Sequence, residues 1–156
     1  MAKLNGIHAL AVAGAGAMLW GVSGCGGMDE ASRQTESRLR VISVAYLEFA
    51  AARGQGPANE TELRNQLAES VAAKITRQKL GVEDAPSLLV SERDGATFIV
   101  RYGVPIETAQ GARAAPIALE AKGREGTQFV AFADGKVECV DAQSLTPLRD
   151  TVAKNR

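Results

Sequence analysis

Side chains that act as nucleophiles or transfer protons are scarce in this chain of 156 residues. Its single histidine, His8, lies in an apolar N-terminal stretch, and its two cysteines are Cys25 and Cys139. A catalytic serine or cysteine needs a base such as histidine beside it, and most zinc and iron sites also use histidine. Once the N-terminal stretch is removed, no histidine remains. The sequence therefore predicts a non-enzymatic protein with no catalytic residues, no metal site and no cofactor.

Two aspartates, Asp94 and Asp134, could act as a pair, because carboxylates about 5–10 Å apart hydrolyse glycosides. Each is followed by a glycine, Gly95 or Gly135. Asp-Gly favours the tight turn of a β-hairpin through its backbone conformation alone. We therefore interpret both pairs as turns, and a carboxylate-based hydrolase is the least favoured function.

The composition is that of a folded domain with balanced charge. The chain has 18 Lys and Arg residues against 18 Asp and Glu, and 4% of its residues are aromatic. This balance and the scarcity of side chains that stack on bases disfavour a nucleic-acid-binding protein. The hydrophobic content of 46% is ordinary for a globular domain.

The first 24 residues have the character of an export signal. Lys3 supplies a positive start, and every residue from 9 to 22 is apolar or glycine. As a helix this run would span roughly 21 Å, short of the roughly 30 Å hydrocarbon core of a bilayer. Its length favours a cleaved signal peptide over a permanent span. An ordinary signal peptide with an incidental cysteine and an uncleaved anchor are the alternatives.

The apolar run ends in Val22, Ser23, Gly24 and Cys25. An aliphatic residue, two small residues and a cysteine in this order resemble the lipobox of bacterial lipoproteins. The resemblance implies a diacylglyceryl group on Cys25, cleavage before it, and acyl chains such as palmitate that hold the protein on a membrane. Two or three chains anchor stably, where one is marginal. The resemblance further implies a place in the cell envelope facing the periplasm or exterior, and Gly26, where Asp would retain the protein in the inner membrane, favours the outer membrane.

Apolar residues recur at helical spacing after this point. Residues 28–53 predict a helix with Leu39, Ile42, Ala45, Tyr46, Phe49 and Ala52 on its buried face. Its basic residues alternate with acids and predict a solvated face, formed by Arg33, Arg38, Arg40 and Arg53. A second helix is predicted over residues 60–78, with Asn59 as N-cap and Glu62 completing a capping box. Its apolar stripe recurs every four residues at Leu63, Leu67, Val71 and Ile75.

From residue 87 the pattern changes to short strands separated by turns. Strands are predicted over residues 87–91, 96–102, 116–121, 127–133 and 136–140, with hairpins at the two Asp-Gly pairs. The strand 127–133 is apolar on both faces, which predicts that both are covered. Cys139 is expected to be a buried, inert free thiol; a reactive thiol or an intermolecular disulfide is the alternative. Two helices packed on a small, mostly antiparallel sheet make an α+β fold.

Three short phrases and the order of elements resemble known families. A long helix ending in Tyr46-Leu47-Glu48-Phe49, followed by a sheet, is similar to pilins and pseudopilins. Ser91-Glu92-Arg93-Asp94-Gly95 resembles a phrase of small planctomycete lipoproteins. Val130-Ala131-Phe132-Ala133-Asp134-Gly135-Lys136-Val137 resembles the end of the prepilin-type domain whose signature is His, nine residues, then Asp-Gly. Arg124 stands where that histidine would be.

The resemblance spans about residues 33–140 and implies a pilin-like domain. A prepilin polymerises through an apolar segment that it keeps, whereas here that segment precedes the cleavage site. We therefore expect a single lipid-anchored unit. The predicted organisation is a signal peptide at 1–24, a lipidated tether at 25–32, an α+β pilin-like domain at 33–142 and a polar tail at 143–156.

Two non-catalytic functions follow from these predictions. The first is a lipid-anchored structural or interaction module of the envelope. The alternative is an envelope module that binds a peptide or polysaccharide on a sheet edge or in the loop 103–114. A groove lined by Tyr102, Ile106 and Arg113 would favour that alternative.

Overall fold

The architecture is that of a computed structural model, which describes residues 28–105, 114–141 and 143–145. Its helices are α1 (Glu30–Arg53), α2 (Glu60–Glu69), α3 (Val71–Leu80) and a 3₁₀ helix (Pro86–Leu89). Its strands are β1 (Ile99–Val100), β2 (Pro116–Leu119), β3 (Thr127–Phe132) and β4 (Val137–Asp141). The α+β class, the long first helix and the antiparallel sheet are thereby confirmed. In the described part of the chain, no helix has both the length and the apolar character needed to cross a bilayer.

Helix α1 has a capping residue at each end. The side chain of Asp29 accepts a hydrogen bond from the Ser32 N–H at 2.8 Å, which satisfies one of the free donors of the first turn. Gly54 ends the helix in the left-handed conformation, with φ 78°. The helix therefore begins inside the segment that was predicted to be a tether.

The buried face of α1 lies on the sheet. Leu39, Ile42 and Tyr46 are fully buried, as predicted. Phe49 is half-buried and Ala52 is exposed, so the predicted face is too wide at its C-terminal end. Ser43 donates a hydrogen bond to the Phe132 carbonyl at 3.0 Å, which fixes the helix against β3.

The second predicted helix is two helices. Asn59 caps α2 as predicted, accepting from the Glu62 N–H at 3.0 Å. Ser70 then leaves the helical conformation, with ψ 129°, and serves both as the C-cap of α2 and as the N-cap of α3. The break rotates the apolar stripe out of register: Val71 is 69% exposed and Ile75 47% exposed. The prediction that these two residues continue the buried stripe is wrong.

The sheet is an antiparallel meander in which β1, β2, β3 and β4 are neighbours in that order. The two predicted hairpin turns are present, with Gly95 at φ 65° and Gly135 at φ 83°. The predicted strand 87–91 is instead the 3₁₀ helix, with Pro86 near its start, followed by a single bridge between Val90 and Thr97. The strand predicted over 96–102 shortens to β1.

Both faces of β3 are covered, as predicted. Phe129 and Ala131 join the main core under α1. Val130 and Phe132 point the other way into a smaller cluster with Leu119. That cluster also contains Leu145, which is 2% exposed although it belongs to the segment predicted to be a polar tail.

Candidate functional site

The predicted lipidation site Cys25 and the lipobox residues before it, Val22, Ser23 and Gly24, lie outside the described residues. Residues 106–113 of the loop predicted as a binding surface lie outside them as well. The described chain begins at Met28, and Asp29 already caps α1. Tyr102, the described member of the predicted groove, is half-buried and packs against the main core.

The carboxylate of Asp94 accepts hydrogen bonds both within its own turn and from a second segment of the chain. One carboxylate oxygen accepts from the Ala96 N–H at 2.9 Å, as an Asp-Gly turn predicts. The other accepts from the N–H groups of Lys122 at 2.9 Å and Gly123 at 2.8 Å, on the connection between β2 and β3. Burial acts to raise the pKa of Asp94, but these three N–H donors together hold it below its ordinary value.

Asp134 lies at the other end of β3. Its carboxylate accepts from the Lys136 N–H at 3.0 Å, and this contact is the largest cause of a pKa below the ordinary value. The six residues of β3 separate the two turns, which puts the two carboxylates on the order of 20 Å apart at about 3.3 Å per residue. This separation rules out Asp94 and Asp134 as a pair that acts across one bond.

A buried polar cluster lies beside Asp94, and we define it as Thr35, Ser91, Arg93 and Glu120. Ser91 donates to one oxygen of Glu120 at 2.7 Å, and Arg93 donates to the other at 2.9 Å. The Thr35 hydroxyl lies 3.3 Å from that of Ser91 and accepts from the Arg93 N–H at 3.2 Å. The cluster thus joins α1, the 91–95 turn and the end of β2.

Glu120 is completely enclosed, with no exposed surface. Burial raises its pKa above the ordinary value, although the Phe129 N–H at 2.8 Å, Ser91 and Arg93 all favour the charged form. The side chain of Arg93 is 5% exposed, and its guanidinium carbon lies 4.8 Å from the centre of the Phe129 ring. Since both oxygens of Glu120 are engaged and covered, this carboxylate holds the fold together and has no open side for a substrate.

Arg38 on α1 belongs to the same region. It was predicted to lie on a solvated face, which is wrong: it is 4% exposed. One nitrogen donates to the carbonyls of Ser87 at 3.1 Å and Val90 at 2.7 Å, and the other forms an ion pair with Glu92. The side chain therefore fastens the 3₁₀ helix and the following turn to α1.

Cys139 on β4 is half-buried against the main core and is disulfide-bonded. The expectation of an inert free thiol is therefore wrong. A disulfide is compatible with the oxidising compartment to which an export signal leads.

A groove of about 510 Å³ runs between α1 and α3. Its lining combines apolar side chains with polar and charged ones: the apolar residues are Met28, Val41, Val44, Ala72 and Leu80, and the others are Arg33, Glu36, Ser37, Arg40, Thr76 and Lys79. We call it the α1–α3 groove. Among the residues that the structure describes, no three histidine, cysteine or acidic side chains are grouped so that they could hold a metal ion.

Comparison of the chain with family models, with curated proteins and with solved structures found no match.

Proposed function

We propose that this chain is a lipid-anchored protein of the bacterial cell envelope that serves as a non-enzymatic structural or interaction module. The observation that carries the proposal is the order Val22-Ser23-Gly24-Cys25 at the end of an apolar run. The start of α1 supports it. With cleavage before Cys25, a short linker, Gly26 to Met28, would join the lipid to the helix cap at Asp29.

The polar chemistry of the described domain supports a role without catalysis. The acidic side chains that the sequence singled out, Asp94 and Asp134, hold turns at opposite ends of β3. The buried acid that the sequence did not single out, Glu120, is enclosed by its partners. These groups support a rigid scaffold whose function is to present a surface.

The arrangement of α1 on an antiparallel meander supports the interpretation of the domain as pilin-like. In a pilin the helix continues into an apolar segment that assembles filaments. In our proposal that segment is removed with the signal peptide, and the lipid takes over attachment to the membrane. The outer membrane is the favoured location because Gly26 follows the lipidated cysteine.

The disulfide of Cys139 favours a second candidate. Cys25 is the only other cysteine in the sequence. A thioether to diacylglycerol occupies the sulfur of Cys25, so one molecule cannot carry both this lipid and a disulfide at Cys25. The second candidate is therefore an exported protein that is not lipidated and keeps Cys25 as a disulfide partner.

The two candidates are separated by labelling and by the matched variants Cys25→Ser and Cys139→Ser. The full-length chain is expressed in a bacterial host supplied with alkyne-tagged palmitate, and the intact mass of the product is measured with and without reduction. A lipoprotein incorporates the label in the wild type and in Cys139→Ser, whereas Cys25→Ser accumulates as unprocessed precursor without label.

The opposite pattern would overturn the proposal in favour of the second candidate. In that case neither the wild type nor either variant takes up palmitate. The wild type instead gains two hydrogens in mass on reduction, and each single variant loses that change.

A further inference from the structure

Helix α3 exposes two large apolar side chains to solvent. Val71 is 69% exposed and Ile75 is 47% exposed, one helical turn apart on the side that faces away from the buried Ala73. Among the residues that the structure describes, the one other exposed large apolar side chain is Met28, at 38%. Met28 lines the α1–α3 groove together with Lys79, so it lies beside the same helix. The exposed large apolar side chains of the described domain are therefore concentrated around α3.

Basic side chains flank the apolar pair. The exposed residues of this helix form a surface that we call the α3 face: Val71, Lys74, Ile75, Gln78 and Lys79. At about 100° per residue, Lys74 falls on one side of the apolar pair and Lys79 on the other. Neither lysine forms an ion pair with a residue that the structure describes. Since α3 contains no Asp or Glu, its exposed face is apolar along the centre and positive along both edges.

An anionic bilayer fits this face better than a protein partner does. Protein interfaces are depleted in lysine and enriched in aromatic residues, whereas the α3 face has two lysines and no aromatic residue. One side of a ten-residue helix covers on the order of 150 Å², well below the roughly 800 Å² that each partner buries in a stable complex. A bilayer sets no such minimum area. Apolar side chains enter the boundary between headgroups and acyl chains, while lysine side chains extend to the phosphates.

The start of the described chain brings this side of the domain towards a membrane. The chain as described begins at Met28, six residues after the apolar run ends at Val22. Six residues extend at most about 20 Å. A bilayer that holds the apolar run during export therefore lies close to Met28 and to the helix beside it.

We propose that the α3 face is a docking surface for a bilayer of anionic phospholipid. Val71 and Ile75 enter the lipid boundary, and the ammonium groups of Lys74 and Lys79 pair with phosphates. The contact requires no acyl chain on Cys25, so it goes beyond the proposed function and applies to both candidates above. Two apolar side chains make a weak contact, which orients the domain on the membrane and does not anchor it.

Docking is tested with the full-length chain, purified from a bacterial host and reconstituted in vesicles of phosphatidylcholine and phosphatidylglycerol. The sequence has one tryptophan, Trp20, so Trp20→Phe supplies a background without it. In that background Val71→Trp reports on the α3 face, and Ala115→Trp, exposed before β2, is the matched control. Lipids brominated on their acyl chains quench a tryptophan that touches them. We expect quenching and emission at shorter wavelength for position 71, and neither change for position 115.

The charge requirement is tested in the Val71→Trp chain. Each cation near an anionic surface contributes about fivefold to binding. Lys74→Gln combined with Lys79→Gln should therefore lower the ratio of docked to undocked protein about 30-fold at low salt. Lys122→Gln combined with Lys136→Gln removes the same charge from exposed positions on either side of β3, and it should leave the ratio unchanged.

Three results would overturn the proposal. Absence of quenching at position 71 refutes docking, and equal quenching at positions 71 and 115 refutes a preferred face. Quenching that persists in vesicles of phosphatidylcholine alone refutes the assignment to an anionic bilayer. A shift of emission that grows with protein concentration, without quenching, identifies a second copy of the chain as the occupant and refutes the proposal as well.

A second reporter keeps the test decisive. If Val71→Trp does not fold, as judged by circular dichroism, Ile75→Trp reports on the same face. Uptake of palmitate by Cys25 is measured separately, so failure of membrane docking and failure of the lipoprotein proposal give different results.

Discussion

Asp94 and Asp134 share the same local sequence context, but their carboxylates make different contacts. Each precedes a glycine at a positive φ angle, in a turn between strands or strand-like segments. The carboxylate of Asp134 contacts Lys136, two residues away. The carboxylate of Asp94 also holds the backbone of residues 122 and 123, so it connects two turns that are distant in sequence.

We expect Asp94→Asn to lower the free energy of unfolding at neutral pH by about 1.5–3 kcal/mol, the range for hydrogen bonds to a charged group. Asp134→Asn, the matched control, should cost less because its contacts are local. Urea unfolding followed by circular dichroism measures both, and the two m-values should agree. Equal losses in the two variants would contradict the bridging role of Asp94.

The effect of Asp94 also depends on pH. In the unfolded chain its pKa has the ordinary value of 3.8, and in the folded chain it is lower. The folded state therefore binds fewer protons, and the stabilisation is complete above the ordinary value and disappears as the pH falls through the folded pKa. The difference between wild type and Asp94→Asn should be constant from about pH 7 to about pH 5 and shrink below that.

Arg93 and Glu120 form a buried ion pair, and their burial determines how much stability is lost when one partner is removed. Their side chains are 5% and 0% exposed. We expect Arg93→Met to cost about 3–5 kcal/mol, because it leaves the Glu120 carboxylate buried without a cation. The double variant with Glu120→Gln should cost less than the sum of the two single variants, since the residues interact directly.

Arg64 provides the control for this prediction. It pairs with Glu60 on α2, where the side chains are 48% and 44% exposed. Solvent weakens such a pair, so Arg64→Met should cost no more than about 1 kcal/mol. Chemical denaturation of the four variants (Arg93→Met, Glu120→Gln, the double variant and Arg64→Met) at neutral pH makes the comparison. Similar losses for Arg93→Met and Arg64→Met would refute the structural role of the cluster.

At the scale of elements, the break at Ser70 determines which apolar side chains are buried and therefore contribute to stability. Leu67 is fully buried and Val71 is 69% exposed, although both belong to one four-residue repeat in the sequence. We expect Leu67→Ala to cost about 2–5 kcal/mol, and Val71→Ala to change stability by less than about 0.5 kcal/mol. Thermal or urea unfolding measures both. A large loss in Val71→Ala would mean that α2 and α3 form one continuous helix.

Periodicity predicted the elements whose partners are local or whose pattern is long. The helix over α1, the Asn59 cap and the two Asp-Gly turns follow from short-range rules, and the structure contains all of them. The apolar pattern of β3 likewise predicted that both faces are covered. These features depend on the chain within a few residues or on a simple alternation.

The remaining features depend on contacts between distant residues. Arg38 has the spacing of an exposed residue, but its acceptors lie about fifty positions away on the 3₁₀ helix and the turn after it. Glu120 directly follows the apolar residues of β2. A single acid at the end of an apolar strand was the one sign in the sequence of a buried ion pair there. Arg93, which pairs with it, lies 27 positions earlier in the sequence. Neither residue type nor local spacing encodes such pairings.

For the molecule as a whole, the position of α1 has a consequence for biogenesis. Helix α1 is the first described element to be synthesised, and its polar anchors come late: Ser43 bonds to Phe132, 89 positions further on, and Asp29 pairs with Arg124, 95 positions further on. Until those residues leave the ribosome, the apolar side of the helix has no sheet to cover it. The polypeptide therefore cannot complete its core until most of the chain has been synthesised.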